Sequence, residues 1–474
     1  MADGPVIVWF RRDLRLDDHP ALVAAAETGR PILPLFIHDE TVEPLGAAPR
    51  FRLGLGVEAL TSALERRGMR LILRRGRALD VLKALVAETG AAAIHWTRYY
   101  EPAHIDRDKA IKAWAAAAGL TARSFPGALL HEPTQVLTQA GQAYSVFTPF
   151  WRRLRQGEVA PPLAAPGTLR RPQDWPASDD LADWRMAAPM NRGAAILRPH
   201  IAPGEAAALA RLSAFLEGPL RLYAERRDFP GEAATSGLSD HLAWGEISPR
   251  RIWAEVMART DQDATLDRPG EKVLSELAWR DFAWHLMYHD PSLATENWRK
   301  GWEAFPWRAD NDDAERWRRG ITGVPFVDAG VREMYVTGRM HNRVRMVAAS
   351  YLTKHLLTDW RVGQAWFAEC LTDWDPASNA LGWQWVAGSG PDAAPYFRIF
   401  NPDAQADRFD PAGVYRNRFL GAGGDRRGAL ADAYFDAVPR CWTLDRTTHY
   451  PEPIIEHSAG RAQALAAYER FRDQ

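Results

Sequence analysis

Two short patterns place polar and aromatic side chains where they can act together. In GEKVLSELAWRDFAWHLMY, residues 270–288, Glu276, Trp279 and Arg280 stand at i, i+3 and i+4. In MHNRVRMVAASYL, residues 340–352, Asn342, Arg345 and Met346 repeat that spacing. On a helix each trio shares one face, so the two faces read as two walls of one pocket. Taken singly, each is also what an amphipathic helix with a solvated charged face would show. A third run, DWDPASNALGWQWVAGSGPDAAPYFRIFNP at 373–402, holds Asp373, Asp375, Asn379, Trp383 and Trp385. No helical or strand period fits it. It therefore reads as a loop serving a site, or more plainly as a packed turn between core helices. A fourth segment, TSGLS, comprises Thr235, Ser236, Gly237, Leu238 and Ser239. Its hydroxyls and free backbone N–H groups can hold a pyrophosphate without a full countercharge, although an ordinary helix cap has the same composition.

The elements that must position these residues follow from length and pattern. A chain of 474 residues exceeds one ordinary domain. Short apolar runs at 6–10, 31–37, 69–73 and 93–96 read as strands, and 20–28, 57–67, 78–89 and 105–118 as helices. That alternation predicts βαβ units and an open, doubly wound parallel sheet over 1–130. No G-x-G-x-x-G follows the first strand, so a dinucleotide fingerprint is absent there. Prolines punctuate 131–203, which reads as a surface connector with short helices. From 204 to 474 the reading is all-α: helices at 205–215, 219–227, 249–259, 270–288, 325–337, 341–357 and 360–370, with a core large enough to wall a buried cofactor.

Composition narrows the function. Hydrophobic residues at 46% and charged residues at 25% are globular values, and a net charge of −1 means any nucleic-acid contact must come from a local basic patch. Two cysteines, Cys370 and Cys441, make neither a disulfide framework nor a metal cluster, which points to a reduced, cytoplasmic compartment. Neither a secretory signal nor a membrane span is expected. Twenty tryptophans are the outlier; indole can pack a core, stack on bases or carry an electron.

The 373–402 run resembles the flavin-binding core of the photolyase/cryptochrome family, most like class I cyclobutane pyrimidine dimer photolyases. Further motifs match in order, from WFRRDLRLDD at Trp9 to the last helix. The resemblance implies light-driven repair, in which excited reduced FAD passes an electron to a flipped-out dimer. It implies that Glu276 hydrogen-bonds the dimer, that Trp279 stacks on it, and that Asn342, Met346 and Trp385 complete its cavity. In a dry pocket the charged form of a carboxyl is disfavoured, so Glu276 could donate a hydrogen bond, and Trp offers a flat face to an extruded base. Flavin contacts are implied for Tyr223, Thr235, Ser236, Gly237, Leu238, Ser239, Arg280, Asn342, Arg345, Asp373, Asp375 and Asn379, with Arg345 paired to Asp373. Relatives often carry a basic residue where Gly237 stands, so the phosphate grip would rest on hydroxyls and backbone. Asn379 matches the position facing the flavin N5. An amide supplies no acidic proton there, which keeps the reduced anion accessible.

Trp307, Trp360 and Trp383 match the family's electron relay, where tunnelling demands oxidisable rings at short intervals. Relatives acting on (6-4) photoproducts carry a histidine pair where this chain has Asn342 and Met346, so cyclobutane dimers are implied; His341 is offset and caps or packs. The DNA backbone would be gripped by Arg227, Arg343, Arg398 and Asn401. An antenna chromophore is expected in a cleft between WFRRDLRLDD and RYYEPAHIDRD. Ala103 and His104 stand where folate binders carry Asn and Glu, which counts against methenyltetrahydrofolate and leaves 8-hydroxy-5-deazaflavin or another group. The rival reading is a cryptochrome-like blue-light photoreceptor; Asn379 and the lack of a long tail after the last helix argue against it. UV-damaged DNA is the expected partner and a monomer the expected state.

Overall fold

The structure, a computed structural model, describes residues 4–393, 397–421 and 428–473. Five parallel strands, β1 (Val6–Phe10), β2 (Ile32–His38), β3 (Ile72–Arg75), β4 (Ala93–Thr97) and β5 (Thr121–Phe125), form one sheet in the order β3-β2-β1-β4-β5. The doubly wound α/β layer is as read from the pattern. Every residue of β1 is buried, as a central strand covered by helices on both faces requires. The fifth strand was not anticipated. Its sequence, TARSF, is half exposed because it closes the edge of the sheet beside β4, so it carries no apolar run.

The connector is not featureless. The Phe147–Gln156 helix turns Phe147, Phe150 and Leu154 inward onto the long Asp267–His289 helix. Beyond it the chain is helical. The helix expected over 341–357 is the Asn342–Ser350 α-helix followed by a π-helical turn, Tyr351–His355.

One expectation fails outright. The first half of the 373–402 run is not a loop but a helix, Pro376–Ala387, capped by Asp375. Ala377, Ala380, Leu381, Trp383, Gln384, Val386 and Ala387 are buried, so most of its circumference faces protein and no apolar stripe shows in the sequence. Tyr396, in the same run, lies outside the described residues.

The WFRRDLRLDD motif joins the sheet layer to the helical body. Asp17 pairs with Arg251 and Asp18 with Arg250. Arg12 lies between the rings of Trp244 and Trp374, at 5.1 and 5.0 Å. Gly245, at φ +64°, meets Arg12 O so closely that a Cβ would stand 2.0 Å away; only glycine fits both constraints. Below this seam Arg52, fully buried, holds Glu246 through its two terminal guanidinium nitrogens and reaches Asp240 through Nε.

Candidate active site

A cavity of about 170 Å³ opens between the Asn342–Ser350 and Pro376–Ala387 helices. Asn342, Arg345, Met346, Asp373, Asp375, Asn379 and Trp383 all line it, so the second helix face and the carboxylate-rich run converge. Arg345 donates from Nη2 to both oxygens of Asp373, at 2.8 and 3.0 Å, and from Nε to Met340 O. Asn379 donates from Nδ2 to Gln364 O at 3.0 Å, which orients the amide and leaves Oδ1 to accept from a ligand. Gly382 completes the wall: a Cβ there would meet nothing within 4 Å, so the helix offers a bare strip of backbone to whatever fills the space.

Asp375 lines the cavity but is fully engaged. Its Oδ1 accepts the Ser378 N–H as the helix cap, and its Oδ2 accepts Trp284 Nε1–H at 2.9 Å and lies 3.8 Å from Arg280 Nε. Arg280 also donates to Ala128 O. The two residues thus clamp the Asp267–His289 helix to the Pro376–Ala387 helix.

The first helix face is linked to the site through ion pairs. Arg227 bonds Glu276 and lies 3.8 Å from Asp228, which Arg343 holds at 2.8 Å. This chain of charges links Glu276 to the helix bearing Asn342. Lys272 reaches Glu276 at 3.0 Å as well, and the Glu276 side chain is 31% exposed. The dry pocket that would keep this carboxyl neutral is therefore not what surrounds it; two cations do. Trp279 stacks on Phe147 with centroids 3.7 Å apart and planes 10° apart, so Phe147, in the supposed connector, fixes the plane of the indole. Asn342 Nδ2 lies 3.9 Å from Met346 Sδ. Trp385 ties its Nε1–H to Asp392 O, holding the 388–393 segment against the helix.

Two of the four residues expected on the DNA backbone already have acidic partners: Arg227 has Glu276, and Arg343 has Asp228 and the Phe409 ring. Asn401 caps the Pro402–Phe409 helix by accepting from Asp403 N and Ala404 N, so its side-chain oxygen is committed to its own backbone. Arg398 is exposed. His341 caps the Asn342–Ser350 helix, and burial pushes its imidazole down to about 4, so it serves there as a neutral acceptor.

Tyr223 and the 235–239 segment stand outside the cavity lining but are tied to it. Tyr223 lies under Arg227, at 5.6 Å, and Asp240, just beyond Ser239, holds Arg339 at 2.8 Å beside the turn that leads into Asn342. Leu238 is buried, whereas Thr235 and Ser239 are exposed. The following helix, Ser239–Ala243, is a single turn and offers a weak dipole. The expectation that no cation serves this loop needs correction. Arg211, from the Glu205–Glu217 helix, lays its guanidinium against Gly237, where a Cβ would stand 2.6 Å from Nη1. It is exposed and forms no ion pair among the described residues. A basic side chain at 237 and Arg211 in this pose exclude each other. Only the three-dimensional approach of two segments reveals that exchange.

Trp383 is 2% exposed and packs edge-on against Phe367 at 5.0 Å and Trp317 at 5.9 Å. Its ring also rests on Gly363, one turn after Trp360 on the Trp360–Cys370 helix. Trp360 is fully buried and donates to Asn297 Oδ1. Trp307 is half-buried and stacks on Trp302 at 5.7 Å. Its neighbour Arg308 is backbone-bonded to Leu357 and Asp359, on the approach to Trp360. Trp383 thus lies at the cavity wall, Trp360 in the core behind it, and Trp307 is partly exposed.

Buried ion pairs cross the cleft expected to hold an antenna. Arg11 pairs with Asp108 and Arg107 with Asp39, all buried, and the space left beside Arg11, Arg12 and His104 is about 20 Å³.

Residues 6–167 match the family model described as DNA photolyase, and residues 273–470 the FAD binding domain of DNA photolyase. The chain is 45% identical over 475 residues to a deoxyribodipyrimidine photo-lyase of Agrobacterium fabrum, covering 98% of each chain. Among solved structures, a class III photolyase from Agrobacterium tumefaciens superposes with a TM-score of 0.91 at 43% identity, covering 100% of this chain and 99% of that one. A Synechocystis cryptochrome superposes at 0.83 and 28% identity, covering 98% and 99%. With two family models spread over both layers and a full-length relative at this identity, the chain belongs to the DNA photolyase family.

Proposed function

We propose that the protein repairs UV-damaged DNA as a deoxyribodipyrimidine photolyase, splitting cyclobutane pyrimidine dimers in light. The observation that carries this is the cavity walled by Arg345–Asp373, Asn379, Asn342, Met346 and the bare backbone of Gly382, with Glu276 tied to the same helix through Arg227, Asp228 and Arg343. These residues fit a flavin: a fixed ion pair, an oriented amide acceptor and a glycine strip suit a flat, polar ring system. FAD, when bound, supplies the light-driven electron.

The protein's side chains prepare its surroundings. Arg345, held by Asp373 and Met340 O, presents a fixed positive charge that favours an anionic ring. The Asn379 amide accepts a hydrogen bond and has no acidic proton to give. Arg211, lying against Gly237, and the hydroxyls of Thr235, Ser236 and Ser239 would hold its pyrophosphate. Trp279, backed by Phe147, keeps one face for a flipped pyrimidine, while Asn342 and Met346 form the opposite wall. Glu276, held by Arg227 and Lys272, serves as a hydrogen-bond partner for the dimer. Trp383, Trp360 and Trp307 return electrons from the surface. Arg227, Arg343 and Arg398 supply positive charge for the DNA backbone, Arg343 by exchanging Asp228 for a phosphate.

We further assign 1–130 to the sheet domain, 131–203 to the connector and 204–474 to the FAD domain, and the protein to the cytoplasm as a monomer. Among the described residues no helix is long and apolar enough to cross a membrane. The test is restoration of irradiated oligothymidylate by FAD-loaded protein, in light and in the dark. Light-dependent restoration is expected. Flavin photochemistry without restoration would overturn repair in favour of the photoreceptor reading.

A further inference from the structure

The helix that carries Asn342 and Met346 starts from a turn held by a carboxylate outside the cavity lining. Glu333, on the Pro325–Thr337 helix, accepts on Oε2 the His341 N–H at 3.1 Å and the Tyr415 O–H at 2.5 Å. His341 is the cap of the Asn342–Ser350 helix: its Nδ1 accepts the Arg343 N–H, and its carbonyl accepts the Val344 and Arg345 N–H groups. Those bonds hold the helix start to itself. The bond to Glu333 ties it to a second helix. Tyr415, fully buried on the Val414–Leu420 helix, ties Glu333 to a third. Asn342 follows directly after the cap. Its side chain is exposed and its contact with Met346 Sδ, at 3.9 Å, is weak, so its place is set by the backbone it stands on.

That hold changes with the charge on Glu333. Burial pushes its carboxyl up from 4.5 to about 7, against the Tyr415 hydroxyl, the His341 N–H, Arg345 and Arg418, which draw it down. Among these neighbours, burial raises the Tyr415 hydroxyl well above its ordinary range and lowers the His341 imidazole to about 4, so neither titrates near neutral pH. An ionised carboxylate accepts a hydrogen bond about twice as strongly as a neutral oxygen does. Above about pH 7 the turn is therefore held firmly. Below it Oε2 belongs to a neutral acid, and the hold loosens.

We propose that Glu333 is a positioning residue for dimer recognition: through the His341 N–H it sets where Asn342 and Met346 stand, and taking up a proton loosens that wall. The proposal rests on the dimer reading of the site. Glu333 lies outside the cavity lining, so its charge should move the affinity for damaged DNA and leave flavin absorbance alone.

The experiment measures binding of irradiated and unirradiated oligothymidylate to the FAD-loaded full chain, in the dark, from about pH 6 to about pH 8. In wild type the affinity for the irradiated oligomer should rise about threefold to tenfold across that range, the effect of one hydrogen bond of ordinary net strength. Affinity for the unirradiated oligomer should stay level. Glu333→Gln keeps an acceptor oxygen without a titrating proton, and should bind at the wild-type low-pH affinity throughout. Tyr415→Phe removes the donor that draws the carboxyl down, so the step should move to higher pH. A step that is absent in wild type, survives in Glu333→Gln or stays in place in Tyr415→Phe overturns the proposal. Hydrogen exchange at the His341 amide reports the same hold without DNA, and at about pH 8 it should quicken in Glu333→Gln. Equal protection there overturns the proposal by itself. Equal wild-type affinity for both oligomers, with His341 protection lost in Glu333→Gln, overturns the dimer reading and the role in recognition, not the contact.

Discussion

Gly382 gives the sharpest test of where the flavin lies. It sits inside the Pro376–Ala387 helix and lines the cavity, and a Cβ there would touch nothing within 4 Å. Glycine in a helix interior costs about 0.5–1 kcal/mol relative to alanine. With no clash to offset that gain, Gly382→Ala should stabilise the FAD-free protein by about 0.5–1 kcal/mol. The same exchange at Gly363, on the neighbouring helix, should do the opposite. There a Cβ would stand 2.0 Å from Trp383 Cη2, so the indole or a helix must move, at about 1–3 kcal/mol. Gly382→Phe then fills the cavity without disturbing the core. At an FAD concentration 100 times the wild-type Kd, the ligand stabilises wild type by about 2.7 kcal/mol, and this increment should vanish in Gly382→Phe. The assay is urea unfolding of each variant with and without FAD. Destabilised FAD-free Gly382→Ala would show that the strip is not open. Undiminished FAD stabilisation in Gly382→Phe would show that the ring lies elsewhere, and the site reasoning would fall.

Three more outcomes are expected. Arg211→Ala should raise the Kd for FAD about tenfold, more steeply at low ionic strength, while the FAD-free unfolding midpoint stays put as at other exposed positions; equal loss of both would make Arg211 merely structural. Asp281 is buried beneath the connector, accepting from Leu130 N and His131 N, and burial pushes its carboxyl up from 3.8 to about 7. Between those pH values the native state binds a proton the unfolded chain has lost, so stability falls as pH rises from 3.8 to about 7. Asp281→Asn keeps an acceptor oxygen and should flatten that slope in unfolding midpoints measured across the window; an unchanged slope refutes the assignment. Trp383→Phe should slow flavin photoreduction at least tenfold yet spare repair by pre-reduced enzyme, and unchanged photoreduction would remove Trp383 from the relay.

Local rules made much of the fold legible. The run VIVWF is apolar throughout, and every residue of AIHWT is buried, because both faces of a central parallel strand are covered, and the trio Asn342, Arg345 and Met346 shares a face because helical spacing demands it. Where burial is one-sided or complete over a strand, the pattern survives in the chain. It fails where a helix is enclosed on most sides, as at Pro376–Ala387, or where an edge strand is half solvated, as at Thr121–Phe125. The Phe147–Gln156 helix did carry a signal, Phe147, Phe150 and Leu154 at helical spacing, that the surrounding prolines obscured.

Charge pairing belongs to the other category. Nothing in the order of residues says that Arg227 will meet Glu276, that Arg211 will cover Gly237, that Asp375 will take up the indole N–H of Trp284, or that Asp108 and Asp39 will close the antenna cleft with Arg11 and Arg107. A side chain's type announces that it needs a partner when buried. Which partner it finds depends on how distant helices and strands pack, and that is a property of the whole assembled chain. The sequence by itself therefore determined the layers and which residues share a helix face; the tertiary structure decided which candidate residues converge, which of them are already engaged, and which lie open to a ligand.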